Sequence, residues 1–541
     1  MANPHTGSAW WSNATATTLA SGVLFGVVAL TLFAPVTLGT ALDWLNGAIM
    51  STVGAGYVWL LALTTLLCAV LLLWPGAGRL RLGRSGDLPD YSFGSWVAMM
   101  YGAGLSAALI KWSIAEPVEF MHANPDLIQQ AVAPDTTENM RMAMKWAFLH
   151  WGFGAWSSYA VLGLALAFVC HRRGLPLNLV SPLRCFLGDA TARRLSTPVN
   201  ALTIVLCVIC VMQILHFSID QVHANLALLG SELGVAVPDA SATTTAVMTV
   251  LAVGLGSLCI ASGLQRGVRW MANSSLVTSA VLLALLLTAS SFNGFKALVI
   301  CITDYLVALP DMAVRIWRGD ALAADHSVQL SAWQLEWSLF HWTWWIPFTV
   351  FVGLFMARIS RGRTVREFVL GAMVVPSFLC WVWLTWAGGT AIDLAMHSGG
   401  GAFWVGVEND HKLFVLIANL FSPDAAIALC TLVVVMFLMY SITSVNAVLW
   451  VVSGLATHGR VARTAPRSHL YWAAVLAGLV WVTHQHGAVA AIQALACVAA
   501  LPVSVLIAAN ALALCKSVLE TTGAPWRPFA RRDTILVGGD H

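Results

Sequence analysis

Charged side chains are scarce: Asp, Glu, Lys and Arg make up 10% of the 541 residues, where about 25% is usual in soluble domains. A chain so poor in charge cannot cover a water-facing surface, and with 59% hydrophobic residues it reads as a membrane protein. Nothing basic precedes Gly22, and no short apolar core with a cleavage site follows, so the first apolar run is not a removable secretory signal. The eleven cysteines lie mostly inside apolar runs. Cys207 and Cys210 stand one helical turn apart without a second such pair, so zinc-type ligation is not indicated and the thiols read as small buried groups. Neither HExxH nor GxSxG occurs, and no repeated filter segment is present. A membrane-embedded enzyme and a channel are therefore the weaker readings. No linker, charge block or low-complexity stretch marks a second domain.

What is present is a series of apolar runs, each long enough to cross about 30 Å of hydrocarbon. Twelve are expected, at about 19–37, 54–75, 93–115, 142–170, 197–219, 243–263, 270–290, 333–357, 367–389, 425–456, 469–484 and 487–516. Lys and Arg stay on the cytoplasmic side during insertion. Of 28 basic residues, 21 fall after even-numbered spans, which places both termini in the cytoplasm. The outer loops hold Arg141, Lys145, Lys296, Arg315, Arg318 and Lys412, leaving Lys111 inside span 3. The expected organisation is a cytoplasmic segment 1–18, a transporter domain 19–516 and a short tail 517–541. Residues 292–318 mix apolar and charged positions in the manner of an amphipathic helix at the outer surface.

Two spans do not look like lipid anchors. Span 3 carries Gly102, Gly104 and Ser106 ahead of Lys111, and span 8 carries Pro347 just after Trp344 and Trp345. Glycine permits unwinding and proline removes a backbone donor, and the freed groups need protein, water or ligand as partners. Interrupted helices five spans apart point to a carrier with inverted repeats and a midplane site; ordinary packing kinks are the plainer explanation. Span 4 adds Trp151, Trp156 and Tyr159, and span 8 adds Trp337, Trp342, Trp344 and Trp345. Tryptophan faces favour quaternary ammonium groups, so the expected substrate is a methylated amine, cationic or zwitterionic.

The stretch WSLFHWTWWIPFTVFVGLFMARISRGRTVREFV closely resembles the signature of the betaine/carnitine/choline transporter (BCCT) family. LHWGFGAWSSYAVLGLALAF with HRRGLPL, the AEP near the end of span 3 and ITS in span 10 resemble it too. The resemblance implies an all-α integral membrane protein of twelve helices with LeuT-like inverted five-helix repeats, spans 3–7 and 8–12, after two extra helices, commonly as a homotrimer. It implies secondary transport, by symport or exchange, of compounds such as glycine betaine, carnitine or choline. Carried over by position, Trp151, Trp156, Tyr159, Trp342, Trp344, Trp345 and Phe348, with Gly104 and Ser106, are the expected substrate contacts. Thr443 and Ser444 match hydroxyl ligands of a sodium site in the sodium-coupled members.

Departures from the family pattern narrow the ion coupling. Gly104, Ser106 and Ala108 stand where glycines are common, and Cys207 and Val211 stand where a second sodium would find hydroxyls. Sodium dependence is therefore expected to be weak or absent. Lys111 has no counterpart in the pattern; it either stands in for a coupling cation, holds an anionic substrate group, snorkels, or forms an ion pair. With Lys111 as counter-charge, a sulfonated or anionic amine of the taurine type is the alternative substrate. His216 in span 5 is a possible proton relay or an interhelical contact. The tail carries only Arg527, Arg531 and Arg532 near Pro525 and Pro528, so constitutive rather than osmotically gated transport is expected.

Overall fold

The computed structural model describes residues 14–84, 86–104, 106–233, 241–261, 267–290, 292–319, 326–398, 400–457 and 466–523. Sixteen principal helices carry the fold among them: α1 Ala14–Phe33, α2 Pro35–Leu73, α3 Phe93–Ala103, α4 Ser106–His122, α5 Thr137–Trp151, α6 Phe153–Arg173, α7 Arg184–Leu233 and α8 Ser241–Ala261. They continue with α9 Arg269–Thr288, α10 Gly294–Met312, α11 Ser327–Ile359, α12 Val365–His397, α13 Lys412–Leu420, α14 Pro423–Ala456, α15 Pro466–Gln485 and α16 Val489–Thr522. No strand occurs among the described residues; Arg81 and Thr364 form one isolated β-bridge. Ten of these elements, counting α5 with α6 as one, are long and apolar enough to cross a membrane, and the bent pair α3–α4 makes eleven. α15 has 20 residues, a spanning length, but a less apolar composition.

Several expected boundaries move. The loop expected at 38–53 is helical: α2 runs 39 residues from Pro35, whose fixed φ suits a first helical position. Ala34, with φ −145°, is the joint that separates it from α1. α16 continues through Thr522 into the expected tail, and α1 begins at Ala14 inside the expected terminal segment. Residues 524–541, with Arg527, Arg531 and Arg532, lie outside the described residues.

The second interruption is not where Pro347 stands. The helix passes through Pro347 without a break, and its irregular turn is a π-helical stretch at Leu335–Leu339. Proline costs a helix one hydrogen bond; tight packing of α11 on α6 holds the axis here. Gly163 and Gly353 meet backbone to backbone, since a Cβ at Gly163 would lie 3.2 Å from the Gly353 carbonyl. Small residues permit such close approach between membrane helices. Another interruption lies in span 4, at Gly152 between α5 and α6.

α6 and α11 form the deepest layer, packed by α2, α7, α12 and α16; α14 packs on α7, α8 and α9. α1, α2, α8 and α9 keep large apolar residues exposed, including Phe33, Trp44, Leu63, Val250, Leu258 and Val277. Such faces suit lipid rather than water. Four basic segments gather at one end: Arg361 pairs with Asp87 (2.8 Å), Arg172 donates to the Arg81 carbonyl, Arg366 to the Leu72 carbonyl, Arg173 meets Glu520, and Lys516 donates to the Cys185 carbonyl. Basic residues of the loops expected on the other side have acid partners: Arg141 with Asp304, Lys145 with Asp126, Arg315 with Asp311 and Lys412 with Glu119. α10 occupies the expected amphipathic segment, burying Leu298, Cys301 and Tyr305 and exposing Phe295, Val299 and Val307.

Candidate functional site

Helix α3 ends where Gly104 adopts φ −81° and ψ −139°, and the α3–α4 pair bends by 69°. A Cβ at Gly104 would stand 3.0 Å from the ring of Trp156, so glycine lets the indole lie close over the break. In span 4, Gly152 takes φ −98° and ψ −143°. A Cβ there would fall 2.4 Å from the Phe148 carbonyl. That carbonyl, freed by the break, accepts the indole N–H of Trp381 at 3.3 Å. Both interruptions thus open onto aromatic rings.

Trp156 lies at the centre of the cluster. Its ring stacks on Tyr101 with centroids 6.1 Å apart, and meets Tyr159 at 5.6 Å and Trp345 at 5.6 Å. Tyr159 and Trp345 are 5.4 Å apart, and Trp151 approaches Trp345 edge-on at 5.5 Å. These rings are buried. The Tyr159 hydroxyl and the Trp345 indole N–H have no hydrogen-bond partner, and Trp156 Nε1 has only the weak Cys380 thiol. Buried donors left without partners cost free energy, and here they fall within one ring cluster. The rings touch one another, so a cation between them would require them to part.

The other expected contacts separate into neighbours. Trp344 donates its indole N–H to Gln213 Oε1 at 2.7 Å and packs on Phe217 and Phe348. It reaches Trp151 at 6.4 Å and forms the flank toward α7. Trp342 faces away, edge-on to His150 at 5.8 Å and over Gly154. Ser106 opens α4, but its side chain lies outside the described residues. Thr443 places its methyl against Gly102 beside the span 3 break, while its hydroxyl donates to the Met439 carbonyl. Ser444 is buried next to it.

Lys111 forms an ion pair with Asp410 at 2.7 Å and lies over the rings of Trp112 and Phe217. Gln221 donates to the same carboxylate. The lysine neither snorkels alone nor pairs with Glu116. His216 bonds Thr483 at 3.1 Å and Asp220 meets His484, so these histidines make interhelical contacts.

Two groups escaped the sequence reading. Tyr101 comes from α3, where its stacking on Trp156 depends on the bend. Glu116, from the AEP stretch, is fully buried between His150 and His341, with Nδ1 of His150 at 2.5 Å and Nε2 of His341 at 3.2 Å. The available signal was a carboxylate in one span and a histidine directly before a tryptophan in two others.

An all-helical, multi-span bundle with interrupted helices meeting at a buried aromatic cluster defines a membrane carrier. The family model described as "BCCT, betaine/carnitine/choline family transporter" matches residues 15–523. The chain is 30% identical over 518 residues to glycine betaine transporter 1 of Vibrio parahaemolyticus, covering 92% of each chain. It is 27% identical over 507 residues to the glycine betaine transporter OpuD of Bacillus subtilis, covering 93% of this chain and 92% of that one. With the high-affinity choline transport protein of Escherichia coli it shares 31% identity over 374 residues, 69% of this chain and 51% of that protein. The chain belongs to the BCCT family and is a transmembrane transporter, not an enzyme.

Proposed function

We propose that the protein is a secondary transporter, by symport or exchange, of trimethylammonium or related zwitterionic compounds such as glycine betaine, carnitine or choline, working by alternating access. The observation that carries this is the buried cluster Tyr101, Trp156, Tyr159 and Trp345 closing over Gly104. Aromatic faces in a desolvated pocket attract a quaternary ammonium group by about 2 kcal/mol each. Trp151 joins the box from the side; Trp344 and Phe348 form its flank, and Trp342 supports it from behind. The anionic-substrate alternative loses its counter-charge, since Lys111 is engaged by Asp410. In this proposal spans 3–7 and 8–12 are inverted LeuT-like repeats, and the basic end of the molecule, with both termini, faces the cytoplasm of the inner membrane. Thr443 and Ser444 are at most a single sodium site beside Gly102, and the assembly is a homotrimer.

Thermal shifts of the purified protein with glycine betaine, carnitine, choline and taurine test the substrate class. Stabilisation by one or more trimethylammonium compounds and none by taurine is expected; stabilisation by taurine alone would overturn the reading. Light scattering in detergent checks the trimer.

A further inference from the structure

The Glu116 cluster is not needed to build an aromatic box, yet it joins every irregular segment that carries one. Glu116 sits on α4 after the span 3 break, and His150 and Trp151 close α5 just before the Gly152 break. Ser338 lies in the π-helical turn of α11, and His341 stands one turn ahead of Trp345. Glu116 Oε2 accepts the Trp151 indole N–H at 2.6 Å, and Oε1 contacts His150 Nδ1 at 2.5 Å. His150 Nε2 meets the Ser338 hydroxyl at 2.9 Å, and His341 Nδ1 meets the Trp337 carbonyl at 2.8 Å. In this arrangement both carboxylate oxygens are taken by ring nitrogens of Trp151, His150 and His341.

Donor and acceptor bookkeeping sets the protonation. His341 faces a backbone carbonyl with one nitrogen and the Glu116 carboxylate with the other. Both are acceptors, so both contacts are hydrogen bonds only if the ring carries two protons. His150 differs: the serine hydroxyl can donate to its Nε2, so the neutral ring satisfies both of its contacts. The two imidazoles stack 4.4 Å apart at 14°, which opposes charging both at once. The rings of Phe120, Trp333, Trp337 and Trp112 enclose them.

The other charged groups on the same elements are engaged elsewhere or exposed. On α4, Lys111 pairs with Asp410 and Glu119 with Lys412; on α5, Lys145 pairs with Asp126. On α11, Glu336 is exposed. From the packed face of α12, the turn Leu384–Gly388 brings no titratable side chain. The contacts within the cluster are all satisfied when it carries one proton beyond the neutral histidines and the carboxylate.

We propose that Glu116, His150 and His341 form a buried binding site for a single proton, and that its occupancy sets where Trp151 stands against Trp345. Loss of the proton turns the Nε2 lone pair of His341 toward Oε2 of Glu116, the oxygen that holds Trp151. The two must separate, and the indole moves with its acceptor. Substrate affinity then follows pH. Only that last consequence rests on the aromatic-box reading; the proton site does not.

The test uses the full-length protein purified in detergent, with His341→Gln as the main variant. Infrared difference titration without substrate, between about pH 5 and 8 where imidazoles change charge, reads the site itself. A one-proton imidazole and carboxylate transition in wild type that disappears in His341→Gln is the expected result. Binding of glycine betaine, carnitine or choline should vary with pH in wild type, by up to about tenfold per unit for one linked proton, and be flat in the variant. If the variant does not fold, Ser338→Ala keeps all three titratable groups and should move the transition midpoint without removing it. A transition unchanged in His341→Gln, or in Ser338→Ala when only that variant folds, overturns the proposal. So does a titration with no such transition in wild type. A transition lost in the variant, with no trimethylammonium compound bound at any pH, upholds the proton site and overturns the substrate reading.

Discussion

Trp345 touches Trp151, Trp156 and Tyr159 at once, and its indole N–H has no partner of its own. Trp345→Leu should therefore weaken binding of a trimethylammonium substrate by about 1 to 2 kcal/mol, roughly 5- to 30-fold in Kd. Trp342→Leu, a change on the far side toward His150, should leave Kd nearly unchanged; calorimetric titration separates the two. Equal losses would show that the variants act through general packing. Trp156 and Tyr159 were legible in the sequence because residues three apart share a helix face, and Trp345 through the resemblance of its motif. Tyr101 and Glu116 were not, because their contacts depend on a bend whose angle no local pattern encodes. Trp342, Trp344 and Trp345 look alike in sequence, and only the helix phase places Trp345 in the ring cluster, Trp344 beside Gln213 and Phe217, and Trp342 toward His150.

Among the elements, α4 is tied by the Lys111–Asp410 pair, which also gathers Gln221 from α7. A partly exposed pair contributes about 1 kcal/mol, so Lys111→Met should shift the balance between conformations that keep and break this tie roughly fivefold. Transport rate should change while equilibrium affinity stays within about twofold; unaltered transport and ion dependence would leave the lysine with no role beyond local packing. At the opposite end, Asp87 is held below the usual carboxylate range by the Arg361 guanidinium and the Arg84 backbone N–H. A depressed folded value means that this tie is present above the unfolded pKa and is lost as pH falls through the folded one. Acidification, or Arg361→Ala at neutral pH, should raise hydrogen exchange in 79–91 and 358–367 together; exchange that rises in neither segment would contradict the tie. That span 3 is interrupted was readable from its glycines. Pro347 reads as a break, yet the helix runs through it, and the further interruption lies in span 4 at Gly152. Proline marks one lost hydrogen bond, whereas a helix interruption also frees a carbonyl that needs a new donor, as Trp381 supplies to Phe148 there.

For the molecule as a whole, charge scarcity and apolar runs were enough to read an all-helical membrane protein, and most span positions follow. The 39-residue α2 was missed because its middle section, from Leu38 to Val53, mixes polar residues that suit a loop or an extended helix equally. The grouping of basic segments at one end came directly from charge asymmetry, a pattern that insertion imposes on sequence. The central claim is that this bundle moves trimethylammonium compounds through an aromatic box. Solute counterflow in proteoliposomes, with labelled glycine betaine or choline outside and unlabelled compound inside, tests it most directly. Transient accumulation of label is predicted, with little or no sodium requirement and a loss of roughly 5- to 30-fold in apparent affinity for Trp345→Leu. No counterflow of any trimethylammonium compound, or counterflow with affinity unchanged in Trp345→Leu, would contradict the account.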